Sequence, residues 1–404
     1  MKDIQGGVCA PLGFKATGIH CGIRKNKSKK DLALIVSDVM CHAASTYTLN
    51  KVKGAPIAVT KQHLLNGEAK AIICNSGNAN TCNPNGEEIA NAVCGLCAKE
   101  LGIDENDIIV ASTGVIGQPL DLAPFENHMN ELVQALHSQG SSDACEGIMT
   151  TDTVKKEYAV EFEIDGVTCH IGAIAKGSGM IHPNMATMLA FVTSDVNISK
   201  EMLNEVIHEV VDDTFNMVSV DGDTSTNDML SVMANGLANN KEIVQKDESY
   251  HIFKDALMYI CELLSKGIAK DGEGATKLLT CHVNNACSQK DAKVVAKSVI
   301  TSSLFKAAMF GKDANWGRIL CAIGYCEASY DVDKIEVTLA SSAGSILVCQ
   351  NGRGYPFDED QALKILSEDE IEILIDLHDG NYQATAWGCD LTYDYVKING
   401  DYRT

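Results

Sequence analysis

The sequence of 404 residues predicts a layered α/β protein, an α+β-like sandwich rather than a purely parallel doubly wound sheet. Three observations carry that expectation. Short β-type runs recur early in the chain, and helix-period segments lie between and after them. In the middle, two β-type runs are joined by a two-residue turn, which makes an antiparallel hairpin and so breaks a parallel pattern.

Residues 32–36, 55–60, 71–74 and 108–111 are apolar, β-branched runs of strand length. Residues 86–101 read as a helix, because Ile89, Ala90, Val93, Cys94, Cys97 and Leu101 fall on one stripe. The hairpin joins 158–164 to 167–174 through Asp165-Gly166, a pair that tolerates the positive φ of a tight turn. Residues 188–193 read as a buried strand, and 201–216 and 250–269 as helices. A second region begins near Cys281, with strands at 335–339 and 345–348, an acidic helix over 360–377 and a closing strand pair over 381–398. The expected division is a sandwich domain over 1–280 and a smaller α/β domain over 281–404.

Composition excludes several classes. Hydrophobic content of 45% and charged content of 22% are ordinary for a globular chain and exclude wholesale disorder. A net charge of −21 argues against nucleic acid or an anionic membrane as the main partner, since phosphate contacts need clustered Lys and Arg. The dense basic run from Arg24 to Lys30 is short and reads as a solvated loop. No apolar stretch approaches the ~18–20 residues of a membrane span. Sixteen cysteines are not read as a disulfide framework: a chain this long needs no staples, the N-terminus lacks an apolar leader, and many thiols sit in apolar runs such as Ile72-Ile-Cys74. The expected setting is reducing and cytoplasmic.

Familiar chemical templates fail on inspection. Cys94-Gly-Leu-Cys97 has redox spacing but lies mid-helix, so its thiols read as buried apolar groups. The run Asp221-Gly-Asp-Thr-Ser-Thr-Asn-Asp228 resembles a calcium loop, yet Thr226 stands where the turn glycine must be. Gly267 and Gly272 have P-loop spacing, but Glu273 occupies the lysine position and would repel phosphate. The 11 histidines show no zincin pairing, and no metal site is expected.

What remains is Lys176-Gly-Ser-Gly-Met-Ile-His-Pro-Asn-Met-Ala-Thr187, a Gly-rich loop that ends at the head of the buried strand. A threonine hydroxyl is a weak nucleophile without a base. Cleaving the peptide bond before it would free an α-amine, of ordinary pKa about 8, to serve as that base. Ala186 is small enough to let the Thr187 hydroxyl reach its own preceding carbonyl for an N→O acyl shift. The plainer reading is a turn and a core strand, with the hydroxyl bonded to backbone.

The run 176–189 resembles the self-processing segment of the ornithine acetyltransferases, the bifunctional glutamate N-acetyltransferases of the ArgJ family. Further blocks match in order along the chain. They are Gly6-Gly-Val-Cys-Ala-Pro-Leu-Gly-Phe14, Asn75-Ser-Gly-Asn-Ala-Asn80, Ser112-Thr-Gly-Val-Ile-Gly117 and Met149-Thr-Thr-Asp152, then Val220 through Asp228. Asp271-Gly-Glu-Gly-Ala-Thr-Lys277, Asn315-Trp-Gly-Arg318, Ala386-Trp-Gly-Cys-Asp-Leu-Thr392 and Tyr395-Val-Lys-Ile-Asn399 complete the set. His182 and Gly400 are small departures from the pattern.

The resemblance implies a DmpA/ArgJ-like N-terminal-nucleophile enzyme, an acyltransferase of arginine biosynthesis. Its chain is cut between Ala186 and Thr187 into an α chain 1–186 and a β chain 187–404. Thr187 then takes acetyl from N2-acetyl-L-ornithine and passes it to L-glutamate, with an oxyanion hole at Thr113 and Gly114. Implied substrate contacts are Thr150, Lys176, Thr187, Glu273, Asn399 and Thr404. A lysine suits the substrate's α-carboxylate, and Glu273 or the C-terminal carboxylate suits its side-chain ammonium. No cofactor is implied, and acetyl-CoA as a second acetyl donor is left open. The implied assembly is a heterotetramer of two α and two β chains. A hydrolase that uses water as acceptor and an uncleaved amino-acid-binding protein are the competing readings.

Overall fold

The computed structural model describes residues 1–182 and 188–400. The strands, in chain order, begin with β1 (Lys2–Ile4), β2 (Phe14–Ile19), β3 (Leu32–Tyr47), β4 (Glu68–Asn78) and β5 (Ile108–Val115). There follow β6 (Lys156–Ile164), β7 (Val167–Lys176), β8 (Leu189–Ser194), β9 (Val218–Ser219) and β10 (Met229–Ala234). The last are β11 (Leu278–Ala286), β12 (Glu336–Ser341), β13 (Gly344–Gln350), β14 (Arg353–Gly354), β15 (Glu370–Asp376) and β16 (Tyr382–Cys389). The helices are α1 (Ala55–His63), α2 (Gly86–Leu101), α3 (Ala123–Gln134), α4 (Ser141–Ile148), α5 (Lys200–Asp213) and α6 (Glu248–Lys270). Beyond them lie α7 (Gln289–Thr301), α8 (Ser303–Phe310), α9 (Trp316–Gly324), α10 (Glu359–Ile365) and α11 (Tyr393–Asn399).

Two mixed sheets organise these elements. The first runs β1-β6-β7-β8-β10-β3-β4-β5, with β2 also beside β3. Its β8–β10 and β4–β5 pairs are parallel and the rest antiparallel. The second runs β14-β13-β12-β15-β11-β16-β9. Apolar residues of β2 to β5 and of β7, β8 and β10 share one core, among them Phe14, Ile35, Ile109, Ile174, Phe191 and Met229. A larger core runs without interruption from Val160 and Val192 through Phe253 and Ile268 to Leu279, Ile373 and Trp387, so it joins both sheets. Helix α6 lies between them, packed on β6 and β7 and on β11 and β16. Its inward stripe of Phe253, Leu257, Ile260, Cys261, Leu264 and Ile268 follows helical spacing, and Asp247 caps its start through Tyr250 N–H.

The hairpin forms as its turn chemistry requires, with Asp165 at φ 51° and Gly166 at φ 78°. Helices α2, α5 and α6 lie where helical spacing placed them. Three expectations are corrected. Residues 55–60 are not a strand but the start of α1, because Pro56 in its first turn is preorganised for a helix. Its Thr60 side chain exchanges hydrogen bonds with Val110 of β5 (2.7 and 2.9 Å). The acidic helix over 360–377 is the short α10 followed by strand β15, where Ile371, Ile373 and Ile375 alternate inward with period two. The closing strand pair is β16 followed by α11, whose start Thr392 caps through Tyr395 N–H.

All sixteen cysteines carry free thiols, and both Cys94 and Cys97 are buried in α2. Among the described residues no helix is long and apolar enough to cross a membrane.

Candidate functional site

At the ends of β5, β7 and β8 lies a cavity of about 110 Å³. Its walls include Thr113, Gly114, Thr150, Lys176, Glu273 and Asn399, drawn from five separate stretches of chain. Met188, the residue after Thr187, also lines it. Thr187, Ala186 and Thr404 lie outside the described residues. The chain on either side of the segment 183–187 is pinned to the 220s loop. Val220 N–H donates to the Ile181 carbonyl (2.7 Å), and Met229 N–H to the Met188 carbonyl (2.9 Å).

Thr113 and Gly114 stand where the β4–β5 ladder is irregular, with Asn78 opposing both Thr113 and Val115. Gly114 has φ +131°, and a Cβ there would lie 2.4 Å from the Gly77 carbonyl carbon, so only glycine fits. Side-chain amides hold the distortion. Asn227 Nδ2 donates to the Ala79 (2.5 Å) and Ser112 (2.9 Å) carbonyls, and Asn78 Nδ2 to the Gln118 carbonyl (3.1 Å). Thr81 donates its hydroxyl to Asn227 Oδ1 (2.6 Å). A backbone bend braced in this way is suited to holding N–H groups toward a developing oxyanion.

Lys176 ends β7 and is 8% exposed; no described residue accepts a hydrogen bond from its ammonium. Burial pulls its pKa down, against the attraction of Asp152. Asp152 is itself fully engaged. It accepts from Lys156 Nζ (2.8 Å), Gly177 N–H (2.7 Å) and Thr150 N–H (2.9 Å). Burial alone would raise its pKa, but the Lys156 and Lys176 ammoniums prevail and hold it down to about 2. Lys156 also donates to Asp271 (2.6 Å), which ties β6 to the turn after α6.

That turn delivers Glu273. Its N–H donates to the Ser178 carbonyl (2.9 Å) and its Oε2 accepts from Asn399 Nδ2 (2.7 Å). A Cβ on Gly179 would lie 2.3 Å from the Glu273 carboxyl carbon, so the Gly-rich loop is glycine here for close approach. Asn399 arrives on α11, which docks through the Thr392 hydroxyl onto the Gly274 carbonyl (2.6 Å). His182 is pushed down to about 4 by burial and by Lys297, so it is neutral at pH 7.

Asp228 and Asn227, which the sequence presents only as members of a polar run, also line the cavity. A polar run that fails as a calcium loop, in a block carried over whole, was the available signal. A larger cavity of about 780 Å³ adjoins the first and shares Gly114, Thr150, Thr151 and Glu273 with it. The basic loop contributes Arg24, Lys25 and Lys29 to its wall. Among the described residues no group of three or more His, Cys, Asp or Glu side chains is placed to hold a metal ion.

The family model described as ArgJ family matches residues 15–404. The chain is 47% identical to the arginine biosynthesis bifunctional protein ArgJ of Caldanaerobacter subterraneus subsp. tengcongensis over 405 residues, covering 100% of each. It is 50% identical to arginine biosynthesis bifunctional protein ArgJ 1 of Clostridium acetobutylicum, over 97% of this chain and 96% of that one. A crystal structure of arginine biosynthesis bifunctional protein argJ from Bacillus halodurans is 44% identical, with a TM-score of 0.50. It aligns over 52% of this chain and 97% of its own.

Proposed function

Because the chain belongs to the ArgJ family, we propose that it carries acetyl from N2-acetyl-L-ornithine to L-glutamate through an ester on Thr187. It is an acyltransferase of arginine biosynthesis. The observation that carries the finer reading is the meeting of Thr113, Gly114, Thr150, Lys176, Glu273 and Asn399 at one cavity beside Met188.

The chain first cuts itself. The Thr187 hydroxyl adds to the Ala186 carbonyl, and the C–N bond breaks as the acyl group moves to oxygen and frees the α-amine. Water then hydrolyses the ester to return the hydroxyl and leave Ala186 as a carboxylate. In the first half-reaction the Thr187 oxygen bonds to the acetyl carbon of N2-acetyl-L-ornithine. The amide C–N bond breaks, and the hydroxyl proton passes through the α-amine to the departing ornithine nitrogen. In the second half the glutamate amine attacks the ester, and Thr187 recovers its proton. Both tetrahedral oxyanions face the Thr113 and Gly114 bend. Lys176 meets the substrate's α-carboxylate, while Glu273, with Asn399 and the Thr404 carboxylate, receives the side-chain ammonium. Thr150 borders the acyl group.

The length of the Bacillus halodurans chain supports processing within the family, because it spans only about half of this precursor, as one product would. We place the mature enzyme in the cytoplasm, as two copies of each product chain, with 1–280 and 281–404 as its structural units. The reaction as written consumes no cofactor; N-acetylglutamate formation from acetyl-CoA and glutamate tests whether acetyl-CoA is a second donor.

Intact-mass analysis tests the nucleophile. Wild type yields chains of 186 and 218 residues and, without glutamate, releases ornithine only to one equivalent per active site, with continued release when glutamate is added. Thr187→Ala yields one full-length, inactive chain. Two fragments from that variant would overturn the assignment, and glutamate-independent release of ornithine well beyond one equivalent per site would make the enzyme a hydrolase.

A further inference from the structure

Asp228 is a buried acid of the cavity that the reaction above leaves without a task. It immediately precedes β10, whose parallel register pairs Met229 with Leu189 and so sets Asp228 level with Met188. It is 2% exposed, lines the cavity together with Lys176 and Glu273, and its Oδ2 has no hydrogen-bond partner. A buried carboxylate oxygen without a donor is costly in the ionised form and much less so when protonated. Burial accordingly drives the Asp228 pKa well above the ordinary carboxylate range, with hydrogen bonds from Ser225 and Thr48 and the charge of Lys176 acting the other way.

Among the described residues of the cavity wall, Lys176 is its one cationic neighbour. Glu273 is the other acid there, and it faces Asn399. Behind Lys176 stand Asp152, already committed to Lys156, and Arg24, a further cation. From β3 the nearest titratable group is Tyr47, opposite Met229 and pushed up to about 12 by burial, with Lys61 over its ring. The facing residues of β8, from Leu189 to Thr193, bring no titratable group.

We propose that Asp228 is a positioning residue that controls the availability of Lys176. Protonated, it leaves the buried ammonium to the α-carboxylate of the incoming amino acid. Ionised, it claims that ammonium and sets a like charge beside the substrate. Binding a carboxylate substrate to the ionised form therefore takes one proton from solvent onto Asp228. The proposal rests on the reading that Lys176 meets the substrate's carboxylate.

The test compares kcat/KM for N2-acetyl-L-ornithine with that for its α-carboxamide, on the processed enzyme, from pH 6 to 9. The ratio of the two cancels the titration of the Thr187 amine and of any group acting on the acetyl transfer itself. In wild type the acid-to-amide ratio falls as pH rises, by up to about tenfold per unit above the Asp228 pKa. In Asp228→Asn the ratio is higher and constant. A constant ratio in wild type overturns the proposal, as does an unchanged fall in Asp228→Asn. If that variant does not process, Lys176→Arg decides, because a guanidinium stays charged throughout. A fall that persists there supports Asp228, and one that vanishes belongs to deprotonation of Lys176 and overturns it. Lys176→Met tests the underlying reading separately: it lowers the ratio if Lys176 meets the carboxylate, and an unchanged ratio would overturn that reading instead.

Discussion

Gly179 shows how a single side chain can be excluded by chemistry rather than by fold. Its φ lies outside the left-handed region, yet the space where a Cβ would sit is filled by the Glu273 carboxyl group. Gly179→Ala must push that carboxylate aside, and with it the hydrogen bond to Asn399. Overpacking of this kind costs about 1–3 kcal/mol, concentrated here on one proposed substrate contact. The expected result is a folded protein whose kcat/KM for N2-acetyl-L-ornithine falls about tenfold or more, mainly through KM. Wild-type KM in that variant would show that Glu273 is not a substrate contact. Gly114 is constrained differently, by positive φ and by the Gly77 backbone, so it is the residue of the pair whose alanine variant should also disturb the β4–β5 ladder.

Among the elements, α11 is the least expected. It is seven residues long, and Tyr393 and Val396 on it are 83% and 67% exposed, so burial alone does not hold it. Its attachment is polar: the Thr392 hydroxyl on the Gly274 carbonyl, and Asn399 on Glu273. Asp390 just before it accepts from Thr276 N–H (2.8 Å) and Lys277 N–H (3.0 Å). These contacts serve the site more than the core. Deleting residues 399–404 should therefore leave thermal stability and the yield of the two product chains near wild type, while acetyl transfer drops at least a hundredfold. Retained turnover in that truncation would remove Asn399 and Thr404 from the substrate contacts.

At the scale of the whole molecule, the proposed cut falls inside the first sheet. Strands β8 and β10 come from the chain after residue 187, and they lie between β7 and β3, both from the chain before it. The 186-residue piece carries 15 basic and 20 acidic residues and the other 18 and 34, so both are negative. Interleaved strands and the shared core keep them together against that repulsion. A buried ion cluster adds to this link: Lys156 of the first piece binds Asp271 of the second as well as Asp152. Removing one partner of such a pair costs roughly 3–5 kcal/mol, so Lys156→Met should lower the urea midpoint at pH 7 by a corresponding amount. Asp152 has a folded-state pKa near 2, below its ordinary 3.8, so its ionised form favours folding. Its contribution, on the order of 2 kcal/mol, is whole above pH ~4 and lost as pH falls from about 4 toward 2. Urea midpoints between pH 2 and 6 should trace that loss in wild type and a smaller one in Lys156→Met.

The sequence by itself determined the class of fold, the hairpin, the long helices and the family. Each rests on a signal along the chain: Asp165-Gly166 for the turn, one apolar stripe for α2 and for α6, and ordered blocks for the family. Where two local signals competed, tertiary structure decided. Residues 55–60 satisfy a strand pattern, but Pro56 and the seat of Thr60 on β5 make them a helix. Residues 370–376 satisfy an acidic helix until pairing with β11 and β12 draws their isoleucines inward with period two. Asp228 shows the limit most plainly. Its sequence says only that an acid ends a polar run, because burial, a missing hydrogen-bond donor and a neighbouring ammonium are properties of packing between strands distant in the chain.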